Sequence, residues 1–187
     1  MKDIIQRKLI IREAELKDAE ALARLRMKTD GETEYMDREE GEGYLSPKDF
    51  EELIMTDQKE LKNLCLVACD QQEVIGYCRC EGNKLKRLSH QVTFGIVIMK
   101  DYWGYGLGKQ MLEMIIAWSE EQKIHKINLS VSASNIRAIR LYETYNFQIE
   151  GCLKDDKRLR GGEYHDTLLM ARFSKKQKIY DNENPPS

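Results

Sequence analysis

Three glycines, Gly104, Gly106 and Gly108, occupy alternate positions between an apolar run at residues 96–99 and a long segment of helical periodicity at residues 106–122. The helical segment carries a continuous apolar stripe and is the longest helix that we predict. A strand that turns sharply into a helix needs backbone conformations that glycine adopts without steric cost. The sequence therefore predicts a strand, a tight turn and a helix, around which the remaining elements must be arranged.

Apolar periodicity along the whole chain predicts seven strands and four helices. The strands are residues 8–13, 63–69, 73–81, 91–99, 126–132, 147–159 and 164–173, and the helices are residues 17–27, a helix capped by Ser46 and begun by Pro47, residues 106–122 and residues 135–145. Short connections at residues 70–72 and 161–162 favour antiparallel hairpins. We predict an α/β fold of the α+β kind, with a mixed, mostly antiparallel central sheet flanked by the helices.

Length and composition predict one domain. The chain has 187 residues and no Pro-, Gly- or Ser-rich interior stretch, so we expect a single domain over residues 1–173 and a disordered polar tail over residues 174–187. A net charge of -2 provides no overall attraction to nucleic acid. The first 15 residues lack the apolar run of a signal peptide or membrane span, so we expect a cytoplasmic protein without a membrane partner.

The five cysteines do not have the spacing of a zinc site. Cys65, Cys69, Cys78, Cys80 and Cys152 lie mostly in apolar, strand-like stretches and form no CxxC pair. We interpret them as reduced core residues, and we expect no metal site.

The glycine turn predicts a phosphate-binding site, because successive N–H groups of such a turn and of the following helix can point at one anion. Two nucleotide-binding patterns do not fit. A G-x-G-x-x-G fingerprint places Lys109 or Met111 at the last glycine position, and a P-loop requires Ser or Thr where Gln110 follows Gly108 and Lys109. A purely structural connector into the helix is the alternative for the turn taken alone.

The turn reads Trp-Gly-Tyr-Gly-Leu-Gly and resembles the Q/R-x-x-G-x-G/A signature of the GNAT superfamily of N-acetyltransferases, with Trp in place of Gln or Arg. In that family, N–H groups of the turn hold the pyrophosphate of coenzyme A, and the preceding strand pairs with its pantetheine arm. By resemblance the first role falls to Trp103, Gly104, Tyr105, Gly106, Leu107, Gly108 and Lys109, and the second to Ile96, Val97 and Ile98.

A second segment, residues 135–151, is similar to the family pattern N-x-x-A-x-x-L-Y-x-x-x-G-F followed by E-G. Asn146 replaces the glycine, and Asn tolerates the left-handed conformation of a helix end. The resemblance adds Asn135 and Ala138 to the acetyl-CoA-binding residues and makes Tyr142 the catalytic residue, which would protonate the departing thiolate. A phenol with a pKa of about 10 can do this at neutral pH. The alternative for Tyr142 is a packed core tyrosine.

The sequence does not identify the general base. Thr93 stands where relatives often have Glu, and His90 is a candidate by intrinsic pKa, although a lone His at the start of a strand is more often an ordinary surface residue. The resemblance implies direct transfer of the acetyl group without an acetyl-enzyme.

The acceptor is open to more than one class of amine. The closing strands, with Tyr164, His165 and Asp166, resemble the spermidine and ribosomal-protein N-terminal acetyltransferase branches, which implies a primary amine: a polyamine, an aminoglycoside-like amine or a protein N-terminus. An acidic loop could attract a cation or could simply face water; it contains Glu32, Glu34, Asp37, Glu39, Glu40 and Glu42. A homodimer is plausible by family resemblance. The alternative function is a CoA-binding module without catalysis.

Overall fold

The structure is a computed structural model and describes residues 8–174. Apart from Ser174, the tail predicted over residues 174–187 lies outside the described residues, as do residues 1–7 at the other end.

Seven strands and four helices follow one another in the predicted order. They are β1 (Leu9–Glu13), α1 (Ala19–Glu32), α2 (Pro47–Lys59), β2 (Leu64–Asp70), β3 (Glu73–Gly82), β4 (Gln91–Ile98), α3 (Leu107–Glu121), β5 (Lys126–Ser132), α4 (Ile136–Thr144), β6 (Gln148–Arg158) and β7 (Tyr164–Phe173). The strands form one sheet in the order β1-β2-β3-β4-β5-β7-β6. All neighbours pair antiparallel except β4 and β5, which are parallel. The predicted mixed sheet is confirmed.

Local signals explain where the helices begin and end. The Ser46 side chain accepts a hydrogen bond from the Asp49 amide, and Pro47 opens α2, as predicted. Asn146 follows α4 with a φ of 63°, the left-handed conformation expected of it. Helix α1 was predicted to end near residue 27 but continues to Glu32. Its last turn contains the buried polar residues Thr29 and Asp30. A prediction from apolar periodicity does not detect polar residues as buried, so it ended the helix too early.

The core lies between the sheet and the helices that cover it. The apolar stripe of α3 is buried through Leu107, Met111 and Ile115. Four of the cysteines are buried as expected, whereas Cys152 lies exposed on the edge strand β6. Within residues 8–174 there is no helix with the length and hydropathy needed to cross a membrane.

Strands β4 and β5 stay paired over only part of their length. Their register covers Gln91 to Lys126, Val92 to Ile127 and Thr93 to Asn128, whereas β4 pairs with β3 as far as Ile98. Residues 94–98 of β4 therefore have a strand partner on one side only. The sheet opens in its middle, and the two cavities described below lie along this opening.

Candidate active site

A cleft of about 480 Å³, here called the glycine cleft, lies where β4 meets α3 and the start of α4. Of the residues predicted to bind acetyl-CoA or to act in catalysis, all but Val97 and Tyr105 line it. Val97 is buried and lines a neighbouring cavity instead, and Tyr105 is half exposed. The predicted residues that line the glycine cleft are Ile96, Ile98, Trp103, Gly104, Gly106, Leu107, Gly108, Lys109, Asn135, Ala138 and Tyr142.

The floor of the glycine cleft is the uncapped start of α3. Gly104 and Gly106 have φ of 96° and 82°, conformations that glycine adopts readily. No side chain caps α3, and Gln110 donates the first helical hydrogen bond, to the Gly106 carbonyl at 3.0 Å. Within residues 8–174, the amides of Gly104, Gly106 and residues 107–109 donate no hydrogen bond. These donors and the positive end of the helix are suited to the binding of an anion.

Trp103 stabilises the turn through its side chain. Its amide donates to the Lys100 carbonyl at 3.1 Å, so this N–H is not among the open donors. Its indole Nε1 donates to the Ile98 carbonyl at 2.8 Å, and its ring stacks on Tyr35 with centroids 6.4 Å apart. The residue that replaces the family's Gln or Arg thus ties the end of β4 to the turn and to the loop after α1.

Arg137 is a site residue that the sequence analysis missed. It lines the glycine cleft from the first turn of α4, and its Nη2 lies 3.8 Å from where a Cβ on Gly104 would stand. With Lys109 it adds cationic side chains beside the open amides. The signal was available within the second family pattern, as a cation two residues after Asn135.

Tyr142 lies at the junction of the glycine cleft with a second cavity and lines both. Its ring packs edge-on against Phe94 and tilted against Phe147, with centroids 6.4 and 5.7 Å apart. Burial raises the pKa of the phenol well above its usual value, because desolvation disfavours the phenolate. Tyr142 is thus packed in the core, and its phenol stays protonated at neutral pH.

The second cavity, here called the charged cavity, has a volume of about 400 Å³. Its walls come from α1, α2, α4, the five strands β2 to β6 and the loop after α1. It shares Tyr35, Met36, Ile96, Asn135 and Tyr142 with the glycine cleft. The two cavities therefore meet along β4, with Tyr142 at their boundary.

Cys65 also lines the charged cavity. Burial is the main cause that raises its pKa to about 12, so it is a neutral thiol at physiological pH. A thiol in that state is a poor nucleophile, which agrees with a transfer that forms no acetyl-cysteine.

Most charged side chains of the charged cavity are paired. Four cations line it, namely Arg26, Arg38, Arg79 and Lys157, with the carboxylates of Asp37 and Glu81. Arg38 pairs with Asp30 at 3.1 Å, Arg79 with Asp57 at 2.7 Å, and Lys157 with Asp37 at 2.5 Å. Glu81 shares Arg79 with Asp57, at 3.1 Å. Arg26 forms no ion pair within residues 8–174, and its Nη1 is buried without a hydrogen-bond partner.

The acidic loop is partly neutralised by the protein itself. Glu32 accepts the Lys100 amide at 2.8 Å, and Asp37 pairs with Lys157 of β6. Arg160, after β6, donates to Glu39 at 2.7 Å. Several carboxylates of the loop thus fasten it to the turn before α3 and to the β6–β7 hairpin, which lowers the charge left to attract a cation.

The candidate bases are placed differently. Thr93 lines the charged cavity, whereas His90 lines neither cavity and faces His125 with ring centroids 6.0 Å apart. The carboxylate of Glu81 lies on β3, whose register pairs it with Thr93. Sequence reasoning missed Glu81, because only the pairing of strands brings it beside position 93.

The three residues singled out in the closing strands lie outside both cavities. Tyr164, His165 and Asp166 line neither cavity. Tyr164 is exposed, and the Asp166 carboxylate accepts the Asp155 amide at 3.0 Å. In the described part of the chain no group of His, Cys, Asp and Glu side chains is arranged to hold a metal ion.

Comparison with known proteins decides the family. The sequence model of the Acetyltransferase (GNAT) family matches residues 27–147, which include the glycine turn and Tyr142. The chain belongs to the GNAT family of acetyltransferases. An acetyltransferase of the GNAT family from Streptococcus pneumoniae shares the fold at a TM-score of 0.86 and 28% identity, covering 89% of this chain and 100% of that one.

Relatives with named acceptors resemble parts of this GNAT chain. It is 35% identical over 111 residues to the L-amino acid N-acetyltransferase AaaT of Escherichia coli (strain K12), covering 57% of this chain and 66% of that protein. It is 47% identical over 51 residues to the spermine/spermidine N(1)-acetyltransferase of Bacillus subtilis (strain 168), covering 27% and 34%. The [ribosomal protein bS18]-alanine N-acetyltransferase of Escherichia coli (strain K12) is 38% identical over 84 residues, covering 45% and 56%.

The GNAT chain thus spans just under two thirds of the first of these relatives and less of the other two. The polyamine and ribosomal-protein branches suggested by the sequence pattern both appear among its relatives. A GNAT superfamily phosphinothricin acetyltransferase from Sinorhizobium meliloti, solved in complex with acetyl-CoA, shares the fold at a TM-score of 0.77 and 17% identity, with 88% of each chain covered.

Proposed function

We propose that this GNAT acetyltransferase transfers the acetyl group of acetyl-CoA directly to a primary amine. The observation that carries the proposal is the meeting of two cavities at Tyr142, one with a floor of open backbone amides and the other lined by charged side chains. A direct transfer needs two ligand sites that share a boundary, because both reactants must be held together.

The glycine cleft has the donor set for acetyl-CoA. The amides of Gly104, Gly106 and residues 107–109, with Arg137 and Lys109, suit a diphosphate. The unpaired side of residues 94–98 offers backbone groups to an extended, amide-containing arm. When bound there, acetyl-CoA would supply an activated acyl thioester.

Tyr142 would protonate the thiolate that leaves. Its phenol borders both cavities, and burial holds its pKa high, so the proton needed for donation is present throughout the neutral range. Within residues 8–174 no other residue is hydrogen-bonded to this hydroxyl, which leaves it open to a ligand.

Glu81 is the proposed general base. An ammonium ion has no lone pair with which to attack a carbonyl, so the acceptor must lose a proton. Two carboxylates line the charged cavity. Within residues 8–174, Asp37 has Lys157 to itself, whereas Glu81 shares Arg79 with Asp57 and is therefore less fully neutralised. Glu81 also borders Thr93, the position at which relatives often carry Glu. A water molecule could relay the proton.

The acceptor classes supported by the relatives are an amino acid, a polyamine and a protein N-terminus, and the family pattern adds an aminoglycoside-like amine. A volume of about 400 Å³ suits a small acceptor or the end of a peptide.

The experiment has two parts. Calorimetry with acetyl-CoA measures binding, and release of free thiol in the presence of amino acids, polyamines, aminoglycosides and N-terminal peptides measures transfer. We expect saturable acetyl-CoA binding and amine-dependent thiol release. Binding without release for any amine would leave a CoA-binding module without catalysis, and absence of binding would refute the assignment of the glycine cleft.

A further inference from the structure

Arg26 is an unusual member of the charged cavity. It projects from α1, the helix that packs against β3 and β4, and its Nη2 lies 3.8 Å from where a Cβ on Gly43 would stand. Its Nη1 is buried and has no hydrogen-bond partner in the described part of the chain. Because a guanidinium stays protonated in proteins, this is a permanent positive charge at the wall of a cavity.

The neighbouring cations show that this protein normally supplies a carboxylate to each of them. Arg38, Arg79 and Lys157 have their partners on other elements of the same wall. Arg26 lies near Tyr77, whose pKa it lowers against the larger effect of burial, and it has no carboxylate within ion-pair distance among residues 8–174. Arg26 is thus the cation of the charged cavity for which residues 8–174 supply no carboxylate, and a bound ligand can supply one.

Arg26 as a whole is partly buried, and its Nη1 is enclosed without a hydrogen-bond partner among residues 8–174. A guanidinium nitrogen in that position carries a desolvation penalty, which a carboxylate bound to the group offsets. Guanidinium groups are suited to carboxylates, which they can bind through two parallel hydrogen bonds. A carboxylate that can bind an ammonium group is also present, because Glu81 lines the same cavity and shares Arg79 with Asp57. A ligand that complements both residues carries an ammonium group and a carboxylate.

We propose that the acceptor is a free amino acid or a closely related amine that carries a carboxylate, and that Arg26 binds this carboxylate while the amine faces Glu81. The inference rests on the proposed acetyl transfer and names its acceptor class. Polyamines and peptide N-termini lack a carboxylate beside the amine and leave Arg26 unpaired. The internal pairing of the acidic loop with Lys157 and Arg160 also reduces the attraction for a polycation.

The test compares acceptors that differ only in the carboxylate. Thiol release is measured with the twenty L-amino acids, with their carboxamides, and with spermidine and an alanine-initiated peptide. We expect the preferred amino acid to exceed its carboxamide in kcat/KM by about 10- to 100-fold, the range expected of a charged hydrogen bond. In Arg26→Gln this preference should fall to within about threefold, mainly through a higher KM for the amino acid.

The matched control is Arg24→Gln, which removes an arginine from the exposed face of the same helix, where it pairs with Glu20. It should leave kcat/KM for both acceptors unchanged. Without acceptor, Arg26→Gln should melt at the same or a higher temperature than the parent protein, because it removes a charge that has no partner among residues 8–174; an arginine with a structural role would show the opposite. Arg26→Lys, which keeps the charge, should retain part of the preference and serves if Arg26→Gln does not fold.

Faster turnover of spermidine, the peptide or the carboxamides by the parent protein would overturn the inference while leaving acetyl transfer intact. So would a carboxylate preference that survives in Arg26→Gln. Acetyl-CoA binding without turnover of any amine would remove the proposed function, and the acceptor assignment with it.

Discussion

Replacement of Gly108 by alanine separates the stability of the fold from the binding of acetyl-CoA. Gly108 lies in the first turn of α3 with an ordinary helical φ, so alanine introduces no backbone strain. A Cβ there would lie 3.6 Å from Ile98 Cδ1 and 3.6 Å from Leu141 Cδ2, which is ordinary contact. Alanine favours the helix over glycine by up to about 1 kcal/mol, which corresponds to a rise in melting temperature of about 2–4 °C.

The same methyl group would stand inside the glycine cleft. If the diphosphate packs against the amide of residue 108, the added methyl group overlaps the space that the diphosphate needs. By analogy with overpacking in a protein core, this should weaken binding by about 1–3 kcal/mol. The dissociation constant for acetyl-CoA should then rise about 5- to 150-fold. Isothermal titration calorimetry measures the affinity, and a thermal melt of the same preparation measures the stability.

Gly106→Ala provides the contrasting variant. Its φ of 82° makes any other residue unfavourable by about 1–2 kcal/mol, so it should melt about 2–8 °C lower. A Gly108→Ala protein that is as stable as the parent and binds acetyl-CoA with unchanged affinity would refute the placement of the diphosphate at this turn.

Three further variants, one of them with a control variant, test individual side chains. Tyr142→Phe should lower kcat roughly 100-fold or more, with little change in acetyl-CoA affinity. The control Tyr145→Phe loses an exposed hydrogen bond to Glu113 and should keep the kcat of the parent protein. Equal kcat values for the two variants would remove the Tyr142 phenol from the mechanism. Because burial raises the pKa of Tyr142, its protonated form persists as pH rises, and kcat/KM of the parent should show no descending limb below pH about 10. Glu81→Gln should lose about 100-fold or more in kcat/KM at pH 7 and recover toward the parent value near pH 10, where the acceptor deprotonates unaided. A uniform loss at every pH would argue against a base. Arg137→Gln should weaken acetyl-CoA binding roughly tenfold at low salt and less at high salt, and binding equal to that of the parent would exclude a phosphate contact.

The order of the elements was predictable because it depends on short-range signals. The stripe of α3, the Ser46 cap of α2 and the left-handed Asn146 each act within one or two turns of chain. The same holds for the glycine turn, where open amides follow from the local backbone alone. Sequence reasoning therefore located most of the glycine cleft.

The charged cavity could not be predicted in the same way, because distant segments build it. Glu81 lies beside Thr93 only because β3 pairs with β4. The isolation of Arg26 depends on which carboxylates the fold assigns to Arg38, Arg79 and Lys157, and no local pattern encodes that choice. Trp103 likewise finds its hydrogen bond and its stacking partner through the tertiary fold.

The pairing of the acidic loop with the β6–β7 hairpin affects the order in which the two halves of the site can be completed during synthesis. All the residues that line the glycine cleft precede residue 143 in the chain, whereas Lys157 and Arg160, which hold Asp37 and Glu39 in place, leave the ribosome later. A nascent chain can therefore complete the surface proposed for acetyl-CoA first. The cavity proposed for the amine is closed only when the last hairpin joins the sheet, so chains that stop before β6 should lack an enclosed acceptor site.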